Sequence, residues 1–123
     1  MAHGVEGRTT PPAQLDAESA AAVASTLQAL TAPSRLLILS QLRQAPSNVT
    51  DLSAATGLEQ SAVSHQLRLL RTMGLVVGVR KGKNITYGLY DHHVASLLDE
   101  AVYHAEHLRL GAPDNPIAGV TPA

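Results

Sequence analysis

Four of the six histidines fall between residues 92 and 107. With Asp91 they make the richest set of chemical groups in the chain, because imidazole nitrogens and a carboxylate oxygen are ligands for divalent transition metals. On a helix that turns 100° per residue, His93, His104 and His107 project within about 60° of one another. Asp91 stands where that helix begins, free to turn its carboxylate toward His93. Yet His93 and His104 are eleven residues apart, about 16 Å along a helix axis. One ion cannot be reached from both ends of a single helix. Two such helices packed antiparallel solve this: Asp91 and His93 of one chain meet His104 and His107 of the other, twice by symmetry. The plainer alternative is a solvated helix face, which is how His92 reads, with Asp91 serving only as an N-cap.

A second set of polar groups points to nucleic acid. Val49 to Gly57 followed by Gln60 to Arg71 reads as a short helix, a glycine turn and a second helix. Such a second helix can enter the major groove with its first residues at base edges. Gln60, Ser61, Ser64 and His65 cluster there, the short donors and acceptors that base readout uses. Arg68 and Arg71 lie further along and suit phosphates. Arg80, Lys81 and Lys83 crown the following segment, where a wing would meet the backbone or the minor groove. The net charge of −1 argues against nucleic acid, but its distribution does not. Gln60 to Tyr90 holds those five cations and no acid, leaving −6 for the rest of the chain. A basic strip in an acidic chain is a local electrostatic footprint. Polar residues at a helix start also serve as caps, so the helix-turn-helix pattern gains its force from the basic hairpin behind it.

The elements that must carry these groups follow from periodicity. Leu15 to Leu30 has Ala20, Val23, Ala24, Leu27 and Leu30 at helical spacing. Pro33 opens a second helix at a first-turn position, with Leu36, Leu37, Leu39 and Leu42 as its expected buried side and Pro46 as its end. A third helix runs from about Thr50 to Thr56. The fourth runs from near Glu59 to Met73 on a stripe of Val63, Leu67 and Leu70, stopped by Gly74. The period then changes to that of strands at residues 75–80 and 85–90, around a turn at Lys81-Gly82-Lys83-Asn84. Helical spacing returns from His92 to about Leu110, with Val94, Leu98, Ala101, Ala105 and Leu108 on one side. The expected fold is mainly α with a β-hairpin wing, a winged helix-turn-helix in the order α1-α2-α3-α4-β1-β2-α5, dimerising through its terminal helices. Residues 1–14 read as a flexible arm, 15–110 as the folded domain and 111–123 as a flexible Pro/Gly tail.

Composition removes other classes. A 123-residue chain with 45% hydrophobic residues supports one domain. No cysteine is present, so disulfides and thiolate metal sites are ruled out and a cytoplasmic life is the expectation. No apolar run approaches the ~20 residues of a membrane span, so no membrane partner is expected. No His-Glu-x-x-His helix or nucleophile–base pairing is found, so neither an enzyme nor a small organic substrate is expected.

Residues 33–90 resemble the ArsR/SmtB metalloregulatory repressors. The matching pieces are Pro33-Ser34-Arg35-Leu36, Gln60-Ser61-Ala62-Val63-Ser64-His65-Gln66-Leu67, Met73-Gly74-Leu75-Val76 and Tyr87-Gly88-Leu89. The resemblance implies a homodimer on twofold operator DNA and an inducer that lowers DNA affinity. Asp91, His93, His104 and His107 match the last-helix metal site of that family position for position. The family's thiolate site in the third helix is absent, because the segment reads Val49-Thr50-Asp51-Leu52. Arsenic, lead or cadmium sensing is therefore not expected. With an imidazole in place of an acidic residue of the zinc-sensing relatives, the chain is most similar to the actinobacterial nickel/cobalt sensors of the family. Met-Ala-His-Gly-Val-Glu-Gly at the start and Leu98-Asp99-Glu100-Ala101 carry that likeness. Removal of Met1 would place the Ala2 amine beside His3, a chelate for Ni(II) or Co(II) that raises coordination toward six, with Zn(II) the alternative inducer. Relatives of this type can carry further histidines in the tail; Arg109 and residues 110–123 offer none. The function expected is metal-released repression, with a metal-efflux gene as target; a repressor without metal response is the rival.

Overall fold

Among residues 12–28 and 30–111, which the computed structural model describes, the chain forms five helices and one hairpin. They are α1 (Ala17–Gln28), α2 (Pro33–Gln44), α3 (Val49–Thr56), α4 (Gln60–Thr72), β1 (Val76–Lys81), β2 (Asn84–Leu89) and α5 (His92–Leu110). This is the winged helix-turn-helix order. Helix starts follow local chemistry. Pro33 occupies the first turn of α2, where its missing N–H is harmless. The Asn48 side chain accepts the Asp51 amide at 2.8 Å and so caps α3. Gly57 ends α3 at φ 79°, a left-handed conformation that a side chain would resist.

The core is aliphatic. Ile38, Leu39, Leu52, Val63, Leu67 and Leu70 are wholly buried, joining α2 and α3 to the inner face of α4. Each such side chain contributes about 1.5–3 kcal/mol of burial energy. Val76, Tyr87, Val94 and Leu98 extend the cluster to the hairpin and the first half of α5. The stripe expected on α4 is the one observed. On α2, however, Leu36 and Leu37 are 39% and 49% exposed, and Ile38 takes their place inside. Leu36 points instead toward α5.

The hairpin pairs Val76 with Leu89 at its base and Lys81 with Asn84 at its tip. Expectation had put Lys81 and Asn84 in a four-residue turn and begun the first strand at Leu75. Gly82 at φ 64° permits a two-residue turn, which draws both flanking residues into the ladder. Leu75 stays outside it because its amide closes the end of α4 on the Leu70 carbonyl at 2.9 Å. The hairpin is anchored by a third segment: Ser47 and Tyr87 exchange both backbone hydrogen bonds, at 2.9 and 2.8 Å.

The ends behave differently. Helix α1 is shorter than its apolar pattern and has no buried residue. On α5, Val94 and Leu98 are buried, whereas Ala101, Ala105 and Leu108 of the same expected stripe are exposed. No single helix among the described residues is long and apolar enough to cross a membrane.

Candidate functional site

Because Val63, Leu67 and Leu70 turn inward, the opposite face of α4 is held out to solvent. Gln60, Ser61, His65, Arg68 and Arg71 are exposed there and Ser64 is half-buried. The turn ahead of them is fixed by the Ser53 hydroxyl, which donates to the Leu58 carbonyl at 2.5 Å. From α2, Arg35 Nε donates to the Gln66 side-chain oxygen at 2.9 Å, which sets α4 against its neighbour. Arg80, Lys81 and Lys83 are exposed on the outer half of the hairpin. The nine residues expected to face nucleic acid thus lie on α4 and the hairpin, with none used in the core. The Arg35–Gln66 tie was missed by sequence reasoning, although both residues sit in the quoted motifs.

At the start of α5 the Asp91 carboxylate is divided in its work. Its Oδ1 accepts the His93 and Val94 amides at 3.0 and 3.3 Å, capping the helix. Its Oδ2 faces His93 Nδ1 at 3.4 Å. Partial burial pushes the carboxyl up, but the hydrogen bonds from the His93 ring and from the Val94 and His93 amides outweigh it and leave its pKa below the ordinary value. The N-cap reading of Asp91 is thus observed. The 3.4 Å separation also fits a shared ion, since two ligands at tetrahedral zinc distances of ~2.0–2.1 Å stand about 3.3 Å apart.

His104 and His107 lie in the second half of α5, His104 exposed and His107 half-buried. His107 meets the Tyr103 ring edge-on, with centroids 4.2 Å apart and planes at 75°. Among the described residues no three candidate ligands gather in one chain. His3 and the Ala2 amine lie outside the described residues.

Between α2 and the second half of α5 runs an open groove of about 650 Å³, walled by Leu36, Leu98, Val102 and Tyr103 among others. Beside it Arg43 makes a two-pronged ion pair with Asp99, at 3.0 and 2.9 Å. That hydrogen-bonded pairing holds the Asp99 carboxyl below its ordinary range and raises the Arg43 guanidinium. This tie between α2 and α5 also escaped sequence reasoning: the partners are 56 residues apart, and no local pattern links them.

Comparison with known proteins agrees with this geometry. Residues 32–77 match the family described as bacterial regulatory protein, arsR family. The chain is 67% identical to the HTH-type transcriptional regulator NmtR of Mycobacterium tuberculosis, over 97% of its own length and all of that protein. The chain belongs to the ArsR family. It is a transcriptional regulator of the ArsR/SmtB kind and not an enzyme. It is also 39% identical to a transcriptional repressor SmtB homolog of Synechocystis, over 86% of this chain and 80% of that one. The solution structure of apo-NmtR superposes with a TM-score of 0.69 at 64% identity, covering 97% of this chain and 100% of that chain. The homodimeric winged helix-turn-helix domain of a possible ArsR-family regulator from Mycobacterium bovis gives 0.72 at 28% identity, over 84% and 97%. As an ArsR-family regulator, the chain has a fold in which α3 and α4 are the helix-turn-helix and β1–β2 the wing.

Proposed function

We propose that the chain is a metal-responsive repressor that binds operator DNA as a homodimer and is released by Ni(II) or Co(II). The observation that carries this reading is the division of ligands along α5. Asp91 and His93 are paired at its start, His104 and His107 lie at its far end, and a single helix cannot close them on one ion. A second copy is what completes the set. Support for the homodimer comes from the exposed apolar residues of α1 and of the second half of α5, and from the homodimeric relative. The Synechocystis relative is named a repressor.

In this reading Gln60, Ser61, Ser64 and His65 meet base edges, and Arg68 and Arg71 hold phosphates. Arg80, Lys81 and Lys83 embrace the flanking backbone. A dimer spaces its two α4 helices about 34 Å apart, one turn of DNA. When bound, the ion supplies a bridge between the last helices of two chains. That bridge favours a dimer geometry in which the α4 helices no longer match the groove spacing, and the coupling must reach a few kcal/mol to change occupancy. Three imidazoles and one carboxylate suit zinc. An added Ala2 amine and His3 from the arm of residues 1–14 raise the ligand number and favour nickel or cobalt. Residues 15–110 act as the folded unit and 111–123 as a tail. The cytoplasm is the compartment, and a metal-efflux gene the target.

An operator mobility-shift titration tests the proposal. Ni(II) or Co(II) is expected to weaken DNA binding at least tenfold, with Zn(II) less effective. His93→Ala and His104→Ala are expected to keep metal-free binding within twofold and to lose the response. Retention of DNA at saturating levels of all three metals would overturn the sensing claim and leave a repressor without metal response.

A further inference from the structure

We propose that Tyr103 is a positioning residue for His107, holding the imidazole in the orientation from which it serves the shared metal site. This inference rests on the metal-site reading above and deepens it. Tyr103 precedes His107 by one helical turn, a spacing that stacks side chains on one face of a helix. Its ring meets the imidazole edge-on at 4.2 Å between centroids and 75° between planes, an arrangement favoured by the charge distribution of aromatic rings. Burial also sets His107 apart. Between Ala101 and Leu110, His107 alone is not exposed, while His104 on the same helix is open to solvent. An open imidazole samples its rotamers, and a metal that recruits it must suppress that freedom. His107 is already restrained by Tyr103.

Tyr103 has a second contact surface. The same side chain lines the groove between α2 and α5 with Leu36, Leu98 and Val102. A ring that lines the groove and meets the imidazole links the state of the groove to the direction in which His107 points. Closing the groove limits the places Tyr103 can occupy and so tightens its hold on His107. No hydroxyl chemistry enters this role; a flat ring is sufficient.

The test compares Tyr103→Phe with Tyr103→Leu in the full-length dimer, each held above its dimer dissociation concentration as set by sedimentation. Two readouts are used: the ring-proton shifts of His107 in metal-free protein, and Co(II) affinity from absorption titration. The native chain and Tyr103→Phe are expected to show His107 ring protons displaced from those of His104 by the neighbouring ring. In Tyr103→Leu that displacement vanishes and Co(II) affinity falls about three- to tenfold, the worth of one aromatic pair. Tyr103→Phe stays within twofold of native. Unchanged affinity in Tyr103→Leu, or an equal loss in Tyr103→Phe, would overturn the proposal. So would His107 shifts that match those of His104 in native protein, a result readable without metal. Failure of the native protein to bind Co(II) would instead sink the metal-site reading, and the proton shifts would still report whether Tyr103 restrains His107.

Discussion

Every buried apolar side chain of the described residues lies between Ile38 and Leu98, whereas Val23 and Leu27 of α1 and Val102, Leu108 and Leu110 of α5 are exposed. The middle of the chain closes its own core; the ends do not. That contrast separates two tasks. The surface proposed to read DNA is positioned by α2, α3 and the hairpin of the same chain, so its geometry exists in one copy. The proposed ligands lie on, or at the edge of, an element whose second half has little to pack against. Apolar side chains left outside in this way mark an interaction surface. In the proposed function, reading is a property of the fold and sensing a property of its assembly.

The contrast can be broken at several points, the largest effect first. Leu67→Ala, wholly buried in α4, is expected to lower unfolding free energy by ~2–5 kcal/mol in urea denaturation. A loss below about 1 kcal/mol would mean that one chain does not hold the core by itself. Val102→Asp, on the exposed part of α5, is expected to leave helix content unchanged by circular dichroism. It should weaken the dimer about thirtyfold or more in sedimentation. A dimer of native strength would place the joint elsewhere.

The proposed reading face then divides into two kinds of residue. Gln60→Ala is expected to cost ~1–3 kcal/mol on the operator and relax specificity at one base pair. Lys81→Ala should weaken binding to all sequences alike and lower the salt slope by about 1, measured by fluorescence anisotropy across salt concentrations.

The smallest effect concerns the tie between the regions. Arg43 depresses the Asp99 carboxyl below its ordinary value of 3.8, so the pair stabilises the chain above that pH. Its contribution is lost as pH falls through the depressed value. The stability gap between native protein and Asp99→Asn should therefore narrow on acidification below about pH 4, and narrow with added salt at pH 7. A gap that widens in acid would contradict the ion pair.

Much of this architecture was legible from residue types alone. Helix α5 begins and ends where its pattern does, because Asp91 caps it and Gly111 terminates it. The stripe of α4 was visible because Val63, Leu67 and Leu70 recur at helical spacing. Leu36 and Leu37 were misplaced inside for a reason of the same kind. A run of leucines on one helix offers several buried faces, and the packing of α2 against α3, α4 and the hairpin decides that Ile38 takes the inner one. The spacing of the candidate ligands excludes a site in one helix, and among the described residues one chain does not gather three of them. The Tyr103–His107 contact was not legible, because a tyrosine one turn before a histidine has many orientations until the groove beside it is built.

The carboxylate of Asp91 lets a single side chain answer to two demands. One oxygen is committed to the first amides of α5, and in the proposed site the other is available to a cation. Serine would begin the helix about equally well yet offers no anionic oxygen, whereas glutamate brings the anion on a stem one carbon too long for the cap. The alphabet therefore leaves this position almost no latitude. In the proposed site, a change to serine would keep the helix start and remove the anionic oxygen, so the cation alone singles out aspartate at this position.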